Sequence, residues 1–376
     1  MAIAEQHRGL AGICAGETAI STVGKSGVGL CYRGYAIEDL SAHASFEEVS
    51  YLLLYGDLPS AHQLLLYQGR LQQKRSLPEA MKGVLQQIPA QAHPMDVLRT
   101  GCSMLGCLEP EAAGVDIRKI GERLLGLFPA MLLYWHHYHT CGICIETQSD
   151  EASIAGHFLH LLHQKPPKAS HRQALDQSLT LYAEHEFNAS TFAARVAAST
   201  RSDVYSAITA AIGTLRGPLH GGANEATMAL VQRFHTPQEA EQGILAALQQ
   251  KILIMGFGHR VYTSSDPRSA LIKKWALQLG GEIQDERYIA VSERIEQVLW
   301  REKKLFPNLD FYAATVYFFM RIPVPLYTPI FVCARVAGWL AHIVEQRDHN
   351  RLIRPNADYV GPEPRAFVPL AEREQG

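Results

Sequence analysis

Apolar residues recur at helical spacing along most of this chain, and that periodicity restricts its fold more than any other feature. Leu271, Ile272, Trp275, Ala276 and Leu279 fall on one helical face. Ile295, Val298 and Leu299 do the same, with Glu293, Glu296 and Arg301 outside. Glu47 to Leu54 behind a Ser45-Phe46 start, and Ala61 to Lys74 behind the turn Leu58-Pro59-Ser60, read as further helices. Strand signal is confined to residues 17–36, where Thr18 to Val23 and Gly29 to Tyr32 flank Gly24-Lys25-Ser26-Gly27 as a small hairpin. Gly24-Lys25-Ser26 is no phosphate-binding loop, because Ala19 stands where that motif requires glycine. Strands and helices do not alternate, which argues against a doubly wound sheet. The expected fold is all-α with one N-terminal β-hairpin.

A length of 376 residues with 47% hydrophobic residues suffices for two domains with real cores. A formal charge of −2 offers no electrostatic footprint for nucleic acid or an acidic membrane. Met1 to Leu10 lacks the apolar core of a signal peptide, and no run reads as long enough to span a bilayer. Seven cysteines, an odd number in a large chain, fit free thiols in a reducing, cytoplasmic setting.

Polar chemistry gathers in a few apolar contexts. His136, His137, His139, Cys141 and Cys144 are zinc-type ligands, but they crowd into nine residues with no second loop. After a helix from Leu124 to Tyr134 they read as a polar loop, with zinc as the lesser alternative. Leu215-Arg-Gly-Pro-Leu-His220-Gly-Gly-Ala-Asn-Glu225 sets a histidine beside two glycines at the start of a helix expected from Glu225 to Phe234. Free N–H groups there favour a neutral imidazole, able to donate to an oxygen gaining negative charge. His185 follows Leu181-Tyr-Ala-Glu184 in an expected helix, and Met255-Gly-Phe-Gly-His259-Arg-Val-Tyr262 approaches a second histidine through glycines, with Asp266-Pro-Arg268 after it. Asp310 in Pro307-Asn-Leu-Asp opens an apolar helix, Phe311 to Met320; Arg335 and Arg354 stand in apolar company. Singly these residues could be a core histidine, an N-cap and structural ion pairs. Jointly, three histidines, a carboxylate and three arginines suit a dicarboxylate held by guanidinium forks, with the remaining carboxylate as base.

GPLHGGANE, GFGHRVY with DPR, and PNLDFY resemble the three catalytic motifs of the citrate synthase family. The likeness extends from TVGKSG and YRGY through HPMDVLRTG and YAEHEFNAST to IRPNADYVGPEPR, essentially the whole chain. AEHEFNAST, HPMDVLRTG and GHFLHLLH are similar to the branch that condenses propionyl-CoA with oxaloacetate to 2-methylcitrate. The resemblance implies that Asp310 is the base, His220 the donor to the enol oxygen and His259 the group polarising the ketone. It implies His185, Arg268, Arg335 and Arg354 on oxaloacetate, the last lent across a homodimer interface, with Arg70 at a basic position associated with substrate. Leu253, Ile254, Met255, Gly256 and Phe257 match the segment that holds CoA adenine. Leu253 replaces a lysine of some members, leaving Lys303, Lys304 and Arg365 as phosphate contacts. No metal or cofactor is implied, since the CoA thioester is itself a substrate. The implied domains are a large one (1–221 and 326–376) and a small one (222–325) that closes on hinge glycines Gly221 and Gly222. Acetyl-CoA is the expected second acyl donor, and a citrate synthase preferring it the nearest alternative.

Overall fold

The computed structural model describes residues 8–10, 12–24 and 29–373. The Lys25-Ser26-Gly27 turn and most of the N-terminal leader discussed above lie outside them. Ser21–Val23 (β1), Leu30–Tyr32 (β2) and Tyr35–Ala36 (β3) form an antiparallel sheet in that order, with Ser21 opposite Tyr32 and Cys31 opposite Ala36. The sequence reading missed β3, which is two residues long.

The regular elements after the sheet are all helices, joined by irregular connections and followed by a non-helical C-terminal segment. Helices α1 to α5 are Ile37–His43, Phe46–Tyr55, Ala61–Gln73, Glu79–Gln87 and Pro94–Leu108. Helices α6 to α10 are Ile117–Cys141, Ile154–His163, Ala169–Tyr182, Ala189–Ser199 and Val204–Leu215. Helices α11 to α16 are Ala223–Val231, Pro237–Gln249, Pro267–Ile283, Arg287–Lys303, Leu309–Phe319 and Tyr327–Asp348. Ser45 and Ser60 start α2 and α3 with capping boxes, in which Glu48 and Gln63 return the hydrogen bond. Helix α6 runs past Tyr134 to Cys141, so the His136–Cys141 stretch is helical and not a loop.

The core is centred on α16, which packs against α2, α6, α8, α9 and α10. Helices α11 to α15 pack on one another, α13 on α15, α12 on α14 and α11 on α15, and meet the rest mainly through α1, α8 and α16. Contrary to the sequence expectation, one stretch, Val324–Asp348, is long and apolar enough to cross a membrane. Within this fold 89% of its most apolar window is buried, as suits a core helix surrounded by other helices.

Candidate active site

Three connections, each set by a local capping arrangement, converge beside α16. The first joins α8 to α9 through Ala183–Asn188, so His185 is not helical as expected. Asn188 caps α9: its Oδ1 accepts from Thr191 N at 3.1 Å and from Ser190 Oγ at 2.8 Å. That leaves the Ser190 N–H, in the first turn, free of an intrahelical partner, and it donates to His220 Nε2 at 3.3 Å. Ser190 Oγ lies 2.9 Å from the same nitrogen and accepts from Trp339 Nε1 at 3.1 Å. A nitrogen that accepts an amide proton carries none, so the imidazole proton of His220 resides on Nδ1. The sequence placed a helix start beside this histidine; the one that addresses it belongs to α9, while its own helix begins three residues later. Burial, reinforced by Arg335, holds the His220 pKa down to about 4, so the ring is a neutral donor.

The second connection, Ile252–Asp266, carries His259. Its Nδ1 accepts from Val261 N at 3.0 Å and Tyr262 N at 3.2 Å, which puts its proton on Nε2. Burial and then the Arg268 charge lower its pKa to about 4. The His259 ring centre is 5.0 Å from that of His185, whose Nε2 hydrogen-bonds the Tyr262 hydroxyl at 3.1 Å. Burial, then Arg268, keeps His185 well below the ordinary histidine range.

The third connection brings in Asp310. The loop before α15 is stitched to the second connection, with Gly258 N donating to Phe306 O at 2.8 Å and Asn308 N to Gly256 O at 2.9 Å. The N-cap is Asn308, whose Oδ1 accepts from Asp310 N at 3.1 Å, so the Asp310 carboxylate is not consumed in capping. Instead Oδ1 accepts from the Tyr182 hydroxyl at 2.5 Å, and Oδ2 has no protein partner among the described residues. Burial raises the Asp310 pKa to about 6, against the lowering effect of Tyr182 and Arg268.

The two arginines are set differently. Arg268 grips Asp266 with two bonds, Nε to Oδ1 at 2.9 Å and Nη2 to Oδ2 at 2.8 Å, and Asp266 Oδ2 also accepts from Leu309 N at 3.1 Å. Arg335 is 1% exposed, and Nε donates to Tyr182 O at 2.7 Å. Its Nη groups have no protein acceptor among the described residues. A buried guanidinium without a carboxylate is costly, and burial lowers its pKa to about 10. A small dianion would relieve that cost.

Phe331 closes one wall, 4.5 Å from the Tyr182 ring and 6.3 Å from His220, with the Arg335 guanidinium 4.7 Å from its centre. Tyr182, Ser190, Asn188, Tyr262, Asp266 and Phe331 were missed as site residues. A donor that orients a base carries no motif of its own.

Other expected residues lie apart. Arg70 is bound to Glu122, with Nη2 at 2.8 Å and Nε at 3.0 Å, and that bidentate pair, shared with Lys74 at 2.7 Å, removes it from the cluster. Arg354 is exposed on the C-terminal segment, Nη1 donating to Asn356 at 3.0 Å, and does not reach the site within its own chain. In the expected CoA segment Leu253 is exposed, Ile254 and Gly256 are buried, and Phe257 pairs with Pro307. Gly256 has φ of 87°, and a Cβ there would meet Thr227 Oγ1 at 2.6 Å. Met255 lines a cavity of about 240 Å³ with Arg216, Pro218, Gly222 and Thr328, next to His220 in sequence. Lys303, Lys304 and Arg365 are exposed. Gly221 has a static explanation, since an added Cβ would sit 2.4 Å from Leu215 O. The zinc-type ligands diverge: His137 and His139 bond the carbonyls of Leu161 (2.9 Å) and Leu85 (3.4 Å), and Cys144 lies 3.4 Å from Tyr134 Oη. Among the described residues no three such ligands converge.

This arrangement belongs to a known class. A family model described as citrate synthase, C-terminal domain, matches residues 9–356, and the chain belongs to the citrate synthase family. A 2-methylcitrate synthase of Shewanella oneidensis is 55% identical over 365 residues, covering 97% of each chain. Citrate synthase 2 of Bacillus subtilis is 42% identical, covering 97% of this chain and 99% of that one. The citrate synthase of Thermoplasma acidophilum, solved in ternary complex with carboxymethyl coenzyme A and oxaloacetate, superposes with a TM-score of 0.91 at 32% identity, covering 98% of this chain and 99% of that one.

Proposed function

We propose that the protein condenses propionyl-CoA with oxaloacetate and water to give 2-methylcitrate and CoA, and that it also accepts acetyl-CoA. The observation that carries this reading is that a buried carboxylate with a raised pKa, Asp310, and a neutral histidine, His220, both border the Tyr182–Phe331 wall, beside the unpaired Arg335. Asp310 removes a proton from the thioester α-carbon. A carboxylate is too weak a base for that carbon alone, so Nδ1–H of His220 donates to the enolate oxygen as charge develops there. The enol carbon attacks the ketone carbon of oxaloacetate, whose oxygen is polarised by Nε2–H of His259. Arg268, Arg335 and His185 hold the oxaloacetate carboxylates. Water then cleaves the thioester and CoA leaves as the thiol. The substrates supply all the reacting groups, so the reaction calls on no metal or cofactor.

Met255 and the cavity it shares with Pro218 and Gly222 support CoA binding along Leu253 to Phe257. The division into a large unit (1–221, 326–376) and a small one (222–325) agrees with α11 to α15 packing mainly on one another. Closure of the small unit would exclude water from the enolate. A homodimer is supported by the C-terminal segment, where Leu352, Tyr359, Val360, Phe367 and Leu370 stand exposed and need a cover. In that assembly Arg354 reaches the partner's site. Deleting residues 351–376 should yield monomers in light scattering that bind oxaloacetate weakly; a dimer of full affinity would sink this reading. Seven free cysteines support a reducing, cytoplasmic setting.

One methylene in a pocket changes preference by only about 1–3 kcal/mol, so a citrate synthase preferring acetyl-CoA is the nearest competitor. The deciding measurement is CoA thiol release with oxaloacetate, comparing kcat/KM for propionyl-CoA and acetyl-CoA. A higher value for propionyl-CoA supports the assignment; a higher value for acetyl-CoA replaces it while leaving the mechanism; no release with either overturns both.

A further inference from the structure

Among the described residues around α16, Arg268 and Arg195 are paired with carboxylates, whereas Arg335 and Glu184 have no arginine, lysine or carboxylate partner. Arg268 has Asp266, and Arg195 has Glu345, Nη1 to Oε2 at 2.6 Å. Arg335 has only the neutral carbonyl of Tyr182. Glu184, fully buried, has only the Ser21 hydroxyl at 3.0 Å and the His342 ring at 2.9 Å. His342 is neutral, because its Nδ1 lies 3.0 Å from Arg195 Nη1, and a guanidinium can only donate. The ring proton is therefore on Nε2, donated to Glu184, and the imidazole brings no positive charge to the carboxylate. The other oxygen, Oε2, is buried without a partner among the described residues and rests on Gly338. A Cβ on that glycine would come within 2.2 Å of it. Gly338 lies one helical turn from Arg335 and roughly one from His342 on α16, so the unpaired carboxylate and the unpaired guanidinium share one stretch of helix. Their charges also act on each other: Glu184 opposes the fall in the Arg335 pKa, and against the raising effect of burial the Arg335 charge is one of the causes that hold Glu184 low.

We infer that Glu184 is the standing counter-charge of Arg335, stabilising the guanidinium in the free enzyme and weakening its hold on a dianionic ligand. Glu184 thus sets oxaloacetate affinity without touching oxaloacetate, and eases departure of a product that carries a third carboxylate. The inference rests on the proposal that Arg335 binds oxaloacetate.

The test is calorimetric titration of oxaloacetate into full-length wild type, Glu184→Gln and His342→Gln, with thermal midpoints measured without ligand. Glu184→Gln should bind about tenfold tighter, the effect of removing one like charge roughly 12 Å from a ligand carboxylate at an effective dielectric constant near 20, and should melt lower than wild type. His342→Gln, neutral with both a donor and an acceptor, should bind as wild type does. Equal or weaker binding by folded Glu184→Gln overturns the inference. So does tenfold weaker binding by His342→Gln, which would mean that the imidazole carries the positive charge. If Glu184→Gln does not fold, adding Arg335→Gln should restore folding, because both unpaired charges are then gone. Failure of the double variant to fold counts against the pairing. Absence of oxaloacetate binding by wild type would instead sink the substrate reading, and the stability coupling of the two substitutions would still decide the pairing.

Discussion

The hydroxyl of Tyr182 donates to Oδ1 of Asp310 across 2.5 Å, while the Tyr182 carbonyl accepts from Arg335 Nε at 2.7 Å. One residue at the end of α8 therefore orients the proposed base through its side chain and an oxaloacetate-binding candidate through its backbone. The bond engages Oδ1 alone, leaves Oδ2 without a protein partner among the described residues, and favours the ionised carboxylate against the effect of burial.

Asp310 works only when ionised, and His220 and His259 stay neutral above about pH 4. The condensation rate should fall with a single-proton slope as pH drops through about 6. Tyr182→Phe removes a bond that favours the ionised form, so the midpoint should move upward. A pH profile of kcat/KM for both proteins checks this; an unmoved midpoint would detach Tyr182 from the base.

The raised Asp310 pKa also has a stability sign. Folded, this acid ionises near 6, whereas its ordinary value is 3.8, so its charge destabilises the fold above pH 6. That cost disappears as pH falls from 6 to below 4. Asp310→Asn should therefore be inactive yet more stable than wild type by about 2 kcal/mol at pH 8, with the gap narrowing toward pH 5. Urea unfolding at both values tests it.

His220→Ala removes the enolate donor and should lower kcat by about 10²–10³. Oxaloacetate affinity, governed by the arginines, should change little. Single-turnover rates and calorimetry separate the two effects.

Gly338→Ala places a methyl 2.2 Å from Glu184 Oε2 and 2.4 Å from Ala183 O, and the second of these is backbone. The 183–185 segment must shift, so a loss of about 2 kcal/mol or more is expected with a sharp fall in activity. Alanine tolerated without loss in urea titration would show that the close approach is not needed.

The helical class was legible because amphipathic periodicity needs no long-range information; α2, α3, α13 and α14 form where the apolar spacing put them. Of the motif residues singled out, His220, His259, Asp310, His185, Arg268 and Arg335 lie on connections or faces that converge beside α16, and the roles given to them are the proposal that the predictions above test. What could not be read was pairing. Arg70 looks like any free arginine until Glu122, 52 residues away, is seen beside it. Tyr182 reads as one more apolar residue of α8 until Asp310, 128 positions later, meets its hydroxyl. The length of α6 was also hidden, because polar side chains after Tyr134 look like a loop when their carbonyl partners on other elements are unknown.

Along α16, Arg335, Gly338, Trp339, His342 and Glu345 together meet Tyr182, Ala183, Glu184, Ser190 and Arg195, and all five sit on one stripe. One residue inserted within that span would rotate everything beyond it by about 100° and advance it by about 1.5 Å. Tyr182, Glu184 and Ser190 would then be read out of phase. Here the count of residues is itself information: a change in the length of the helix between positions 335 and 345 would take the proposed active site apart.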